Sequence, residues 1–174
     1  MRIKIFTLGG TIDKIYFDKK SLYEVGQSKI ADVLEQARVN FEYECVSLMQ
    51  KDSLDMKDED RQRVFDAVLE AEEKLVVITH GTDTMVETAR KLLGIPNKVV
   101  VLTGAMEPAR FKSSDAEFNI GCAIGAVQAL PEGVYVAMNG RIFHPERTKK
   151  NLETNRFEDE EMDRDPGGKA LQRG

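Results

Sequence analysis

Residues 75–93 read LVVITHGTDTMVETARKLL, and the hydrophobic period changes partway along. Leu75 to Thr79 is a short, β-branched apolar run, the pattern of a strand covered on both faces. From Thr84 onward, Met85, Ala89, Leu92 and Leu93 recur at helical spacing, Thr84 and Glu87 form a capping-box pattern, and Gly94 and Pro96 stop the run. A buried strand, a polar turn and a helix in immediate succession make one step of a parallel βα sheet.

The step recurs along the chain. Val99–Thr103 (VVVLT) and Val134–Met138 (VYVAM) are apolar runs of the same kind, and Ile3–Phe6 and Phe41–Val46 are weaker strand candidates. Residues 58–73 (DEDRQRVFDAVLEAEE) predict a helix with Val64, Ala67, Val68 and Ala71 on one face and acids in the first turn, where the helix dipole favours them. Residues 115–130 (DAEFNIGCAIGAVQAL) predict another, with Phe118, Cys122, Ala126 and Ala129 as its stripe and Gly121 and Gly125 permitting close packing. Strands alternating with helices imply a doubly wound, mostly parallel α/β sheet of flavodoxin-like order. Its ligand crevice lies beyond the carboxyl ends of the strands, where the strand order reverses.

At 174 residues the chain suits one hydrophobic core. We expect one α/β domain over residues 1–157 and an acidic, flexible tail over 158–174. The formal charge of −5 is accounted for by residues 153–165 (ETNRFEDEEMDRD), and the rest of the chain is balanced. No basic stripe is present, so no nucleic-acid partner is expected. No apolar run approaches the ~20 residues of a membrane span, so no membrane partner is expected either. Two histidines, His80 and His144, and two separated cysteines, Cys45 and Cys122, offer no metal-ligand spacing, and the cysteines are expected to be buried, reduced thiols. The apolar piece at the start is too short for a signal-peptide core, and a cytoplasmic location is the expectation.

Two strand exits carry unusual chemistry. After the first strand, FTLGGTID (residues 6–13) places Gly9 and Gly10 before Thr11, allowing the backbone to approach a ligand closely and presenting a hydroxyl to it. The stretch matches neither GxGxxG nor a P-loop, and a plain strand-exit turn is the bland alternative. After the third strand, His80-Gly81-Thr82-Asp83-Thr84 combines hydroxyls, a carboxylate and a helix start. Capping explains one such residue but not three. In flavodoxin-like order the first and third strands are neighbours, so both turns should face one crevice. Thr103-Gly104-Ala105-Met106 and the loop to Ser114 could line the same pocket.

The motifs TLGGTID, LYEVG, DSLDM, ITHGTDTMVETA, VVLTGAMEP and TKKN, in this order over residues 1 to about 157, resemble the bacterial-type L-asparaginase/glutaminase family. The resemblance implies an amidohydrolase that converts L-asparagine to L-aspartate and ammonia, with weaker action on glutamine and without cofactor or metal. It implies Thr11 as the nucleophile, Tyr23 as a lid residue closing beside it, and Thr82, Asp83 and a lysine as a second catalytic group. Lys149 and Lys150 both fit; Lys150 keeps the spacing from Asn139 and precedes Asn151. Gly10, Ser53, Gly81, Thr82, Asp83 and Ala105 match positions that hold substrate or shape the pocket. Either threonine, Thr11 or Thr82, could attack first.

The chain departs from the pattern in three respects. Typical members carry a second, carboxy-terminal domain that this sequence is too short to supply. Leu54 stands where a polar side chain is common, and Glu107 replaces the arginine of GAMRP. A homo-oligomer, dimer or tetramer, is expected to cover the surface so exposed. The alternatives are the amidase subunit of a tRNA-dependent amidotransferase and a non-catalytic small-amide or amino-acid binding module.

Overall fold

The structure is a computed structural model describing residues 1–17, 22–25 and 28–160, with the backbone alone for 15–17 and 22–25. The chain forms β1 (Arg2–Thr7), a 3-10 turn (Thr11–Asp13), β2 (Lys14–Phe17), β3 (Leu22–Val25), α1 (Ile30–Gln36), β4 (Glu42–Ser47), a 3-10 turn (Ser53–Asp55), α2 (Asp58–Glu70), β5 (Leu75–Thr79) and α3 (Met85–Lys91). There follow β6 (Val99–Thr103), α4 (Ala116–Ala129), β7 (Gly133–Met138), β8 (Arg141–Phe143), a 3-10 turn (Pro145–Arg147), β9 (Thr148–Asn151) and β10 (Arg156–Asp159).

The main sheet runs β4-β1-β5-β6-β7-β8, parallel except for β8 at one edge. This is the expected doubly wound α/β order, reversing between β1 and β5. The continuous apolar runs have the expected cause. On one face Ile3, Ile5, Val77, Val101 and Ala137 pack with Ile30 and Leu34 of α1 and Ile120, Ala123 and Val127 of α4. On the other, Phe6, Val76, Ile78, Val100, Leu102 and Val136 pack with Val64 and Val68 of α2 and Met85 and Ala89 of α3. Among the described residues no helix is long and apolar enough to cross a membrane.

Several local expectations are corrected. In α4 the buried face is Ala116, Asn119, Ile120, Ala123, Ile124, Ala126 and Val127; Phe118 is 65% exposed. The stripe Ile120-Ala123-Ile124-Val127 offers more apolar area than one based on Phe118, and it determines the rotation of the helix. Gly121 and Gly125 consequently face open space. Cys45 is exposed rather than buried, because β4 is an edge strand with alternating burial, and Cys122 is half-buried. Thr84 and Glu87 do not form a capping box. The Thr84 hydroxyl donates to the Ser53 carbonyl at 2.7 Å and Glu87 accepts from Arg61 at 2.7 Å, so both residues tie α3 to the segment before it. The strand β10 includes Glu158 and Asp159, with Phe157 3% exposed; the remainder of the expected tail, 161–174, lies outside the described residues.

The parallel register keeps the strand exits level. Thr7 pairs with Ser47 and Thr79, and Thr79 with Thr103. The turns that follow therefore start from one edge. Gly10, at φ +91°, lies against Gly81: a Cβ on it would sit 2.4 Å from the Gly81 Cα and N. A Cβ on Gly81 would in turn sit 2.6 Å from the Ser53 Oγ. Contact of backbone on backbone joins the β1 exit to the β5 exit.

His80 fixes the second of these exits. Its ring is fully buried, with Nδ1 2.7 Å from the Gly81 carbonyl and Nε2 2.7 Å from the Thr88 Oγ1. A carbonyl can only accept, so Nδ1 carries the hydrogen and Nε2 accepts from Thr88. Burial pushes the imidazole down to about 4, against the pull of the Gly81 hydrogen bond, and the charge of Arg61 adds to the drop.

Gly10→Ala combines a left-handed φ with a backbone clash and should cost at least about 3 kcal/mol in urea unfolding. Gly121→Ala, open on a helix surface, should gain up to about 1 kcal/mol. The His80 contribution is complete above the unfolded value of 6.5 and is lost as pH falls from there through the folded value of about 4. It amounts to about 3 kcal/mol of unfolding free energy. NMR should accordingly find the His80 ring still neutral at about pH 5.

Candidate active site

Four strand exits carry the candidate residues. The β1 exit supplies Gly10 and Thr11, the β4 exit Ser53, the β5 exit Gly81, Thr82 and Asp83, and the β6 exit Ala105. Thr11 opens its 3-10 turn and is half-buried. Two residues later Asp13, 2% exposed, accepts from the Lys29 amide at 3.1 Å and fastens the turn to the start of α1. Burial pushes the Asp13 carboxyl up, against the Lys29 amide and the Ser28 hydroxyl. Ala109 N donates to the Ile12 carbonyl at 3.1 Å, joining the turn to the loop after β6.

Thr82 is 3% exposed, and its Oγ1 accepts from Lys150 Nζ at 2.8 Å. The same Nζ donates to Asp83 Oδ1 at 2.5 Å, with the Lys150 side chain 10% exposed. With Nζ as donor, the Thr82 hydroxyl keeps its own hydrogen for a further acceptor. Lys149 points elsewhere, 3.5 Å from Glu158 and half exposed. Alternation along β9 thus places Lys150, not its neighbour, on the threonine.

Ser53 is 1% exposed, and its Oγ has no hydrogen-bond partner among the described residues. Nearly all buried hydroxyls are partnered, so one left open beside Gly81 is available to a ligand. Its turn is held by the Asp52 side chain, which accepts from the Leu54 amide at 3.1 Å and pairs with Lys14 at 2.7 Å. Burial acts to raise the Asp52 carboxyl, but Lys14 and the Leu54 and Ser53 amides outweigh it and hold it below its ordinary value. Leu54, next in the chain, is 70% exposed.

Ala105 is fully buried, and the loop around it is shaped by residues that sequence reading missed. The Asp115 carboxylate accepts from the Met106 amide at 2.9 Å and the Glu107 amide at 3.2 Å, and Asn119 Nδ2 donates to the Gly104 carbonyl at 3.0 Å. Asn119 also donates to Asp115 at 2.8 Å. Two polar residues at i and i+4 on the first turns of an apolar helix were the available signal. Glu107 is turned to its own loop and accepts from the Ser113 hydroxyl at 2.6 Å.

Gly10 thus touches Gly81, Gly81 adjoins Ser53, and Lys150 reaches Thr82 and Asp83, while Thr11 follows Gly10 and Ala105 follows Gly104, which lies against the His80 carbonyl. Tyr23 lies in β3, where its backbone pairs with Tyr16 of β2; its side chain falls outside the described residues. Among those residues no group of three His, Cys, Asp or Glu could hold a metal ion.

Known proteins resemble this chain in sequence and in fold. The chain is 31% identical over 159 residues to an L-asparaginase of Thermococcus kodakarensis, a match covering 86% of this chain and 48% of that protein. A solved L-asparaginase structure from the same organism superposes with a TM-score of 0.80 at 30% identity, over 91% of this chain and 51% of that one. A glutamyl-tRNA(Gln) amidotransferase subunit of Aeropyrum pernix is 32% identical over 150 residues, 80% of this chain and 35% of that protein. The chain thus spans about half or less of the proteins it resembles. The family model described as asparaginase, N-terminal, matches residues 2–161, and by that match the chain belongs to the asparaginase family.

Proposed function

We propose that the protein hydrolyses the side-chain amide of L-asparagine to L-aspartate and ammonia, with glutamine as a weaker substrate, through a threonine ester. The observation that carries this reading is the contact of Lys150 with both Thr82 and Asp83, made over the gap where the β1 and β5 exits touch. An amide is a poor electrophile and a threonine a poor nucleophile, so the reaction needs a proton acceptor, a stabilised oxyanion and a proton for the departing nitrogen.

Thr11 Oγ attacks the amide carbon and its proton passes to the Thr82–Lys150 pair. The C–N bond breaks as the nitrogen takes that proton, and ammonia leaves. Water, deprotonated by the same pair, attacks the ester carbon and frees aspartate and the Thr11 hydroxyl. Thr11 is favoured over Thr82 as the attacking group because the Thr82 oxygen is already engaged by Lys150. The open Ser53 hydroxyl binds the polar end of the substrate. Glutamine differs by one methylene, a difference worth about 1 to 3 kcal/mol in a tight pocket. Assembly into a homo-oligomer belongs to the same proposal.

The likeness to the amidotransferase subunit supports a second reading, in which the same hydrolysis feeds ammonia to a partner that acts on a charged tRNA. Ammonia release by the purified chain separates the two. The chain alone should release ammonia from asparagine, and Thr11→Ala and Thr82→Ala should each lose at least ~100-fold in kcat. A quenched reaction should carry an acyl adduct on the peptide containing Thr11. Release only with tRNA and a partner would favour the second reading; binding of asparagine without ammonia would make the protein a binding module. Wild-type rates in both variants would overturn the site assignment.

A further inference from the structure

Lys150 lies outside the main sheet. Among the described residues its strand, β9, pairs only with β10, in a separate two-stranded ribbon. Two strands alone are marginally stable, so contacts with the body of the domain must set where this ribbon lies. Several of them act on β10: Phe157 packs against Phe143 with ring centroids 6.4 Å apart, the Phe157 amide donates to Asn139 Oδ1 at 3.0 Å, and Asp159 pairs with Arg141 at 2.7 Å. On the β9 side the contact comes from α3. Arg90 Nε donates to the Pro145 carbonyl at 2.9 Å and its Nη2 to the Thr148 carbonyl at 3.1 Å, with Glu160 3.7 Å away.

Arg90 follows Asp83 by seven residues, on the helix whose first turn adjoins Thr82 and Asp83. Helix α3 and the turn that leads into it thus touch β9 near both ends: Arg90 holds the carbonyl of Thr148 at its start, and Thr82 and Asp83 hold the amine of Lys150 two residues later. From this geometry we infer that Arg90 is a positioning residue for Lys150, setting the height and direction of β9 so that the amine meets Thr82. The inference rests on the amidohydrolase reading for its effect on rate, though not for its effect on the lysine.

The guanidinium suits the task, since its planar fork presents Nε and Nη2 to the two carbonyls in a fixed geometry, which a lysine's flexible stem does not. Arg90 is itself partly exposed, and its ion pair with Glu160 is long. The residue therefore contributes little to overall stability. Its consequence is geometric, because a displacement of about 1 Å at a reacting group can cost ~100-fold in rate.

The test compares Arg90→Met, which keeps the aliphatic stem, with Arg90→Lys and with Arg90→Met in a Lys150→Ala background. Arg90→Met should lower kcat for ammonia release by about 10- to 100-fold with KM within about twofold and Tm unchanged. Arg90→Lys, which keeps the charge but lacks the rigid fork, should fall between it and wild type. In the Lys150→Ala background Arg90→Met should cost less than about twofold more, because the group it positions is already gone. Independently of turnover, acylation of lysines by an N-hydroxysuccinimide ester, read by mass spectrometry, should find Lys150 protected in wild type and reactive in Arg90→Met. Unchanged Lys150 labelling in Arg90→Met would overturn the inference, as would a further tenfold loss in the Lys150→Ala background. If wild type releases no ammonia from any amide, the proposed function fails while the labelling still decides the role of Arg90.

Discussion

The approach of one peptide backbone to another at Gly10 and Gly81 is the constraint on which the site depends. Adjacent parallel strands lie about 4.8 Å apart, and the loops that leave them ordinarily diverge to make room for side chains. Here neither residue has a side chain, and Gly10 adopts a φ open chiefly to glycine, so the two exits remain in contact beyond the sheet. Thr11 follows one of these glycines and Thr82 follows the other. The nearness of the two backbone segments that carry them, seventy-one residues apart in the chain, is thus a consequence of strand order and of two missing Cβ atoms. No interaction between the threonines themselves is required.

Around that contact, polar side chains join loops to one another more than they cap helices. Thr84 bonds across to Ser53, Arg61 to Glu87, Asp115 to the loop after β6, and His80 to the peptide of Gly81. The His80 tie is buried and those of Thr84 and Asp115 partly so, where a broken hydrogen bond costs more than in water. The resulting frame is stiff, with its hydrogen bonds mostly satisfied. Among the described residues the buried atoms left without partners are Ser53 Oγ, Thr79 Oγ1, Arg61 Nε and Asn119 Oδ1. A preorganised frame can hold a substrate without first rearranging.

Much of this was legible in the sequence, for reasons that can be traced residue by residue. The runs 75–79 and 99–103 coincide with β5 and β6, because strands covered on both faces need apolar residues throughout. Lys150 could be preferred over Lys149 because spacing carries through a short strand. The rotation of α4 was not legible, since Phe118 and Ile120 are both apolar and only the sheet beneath decides which is buried. Cys45 was misplaced because an edge strand and a central one share a composition. The β2–β3 hairpin and the β9–β10 ribbon lack strong apolar alternation, and the contacts of Arg90 and Asp115 are made to carbonyls and amides that leave no mark on side-chain pattern.

A crystal structure of Lys150→Ala soaked with L-asparagine would report most directly on the shared cleft. The amide carbon is expected about 3 Å from the Thr11 oxygen, with Thr82 on its other side and the Ser53 hydroxyl on the substrate. Asparagine bound away from the Gly10–Gly81 contact, or with the two threonine oxygens opening onto separate surfaces, would contradict it.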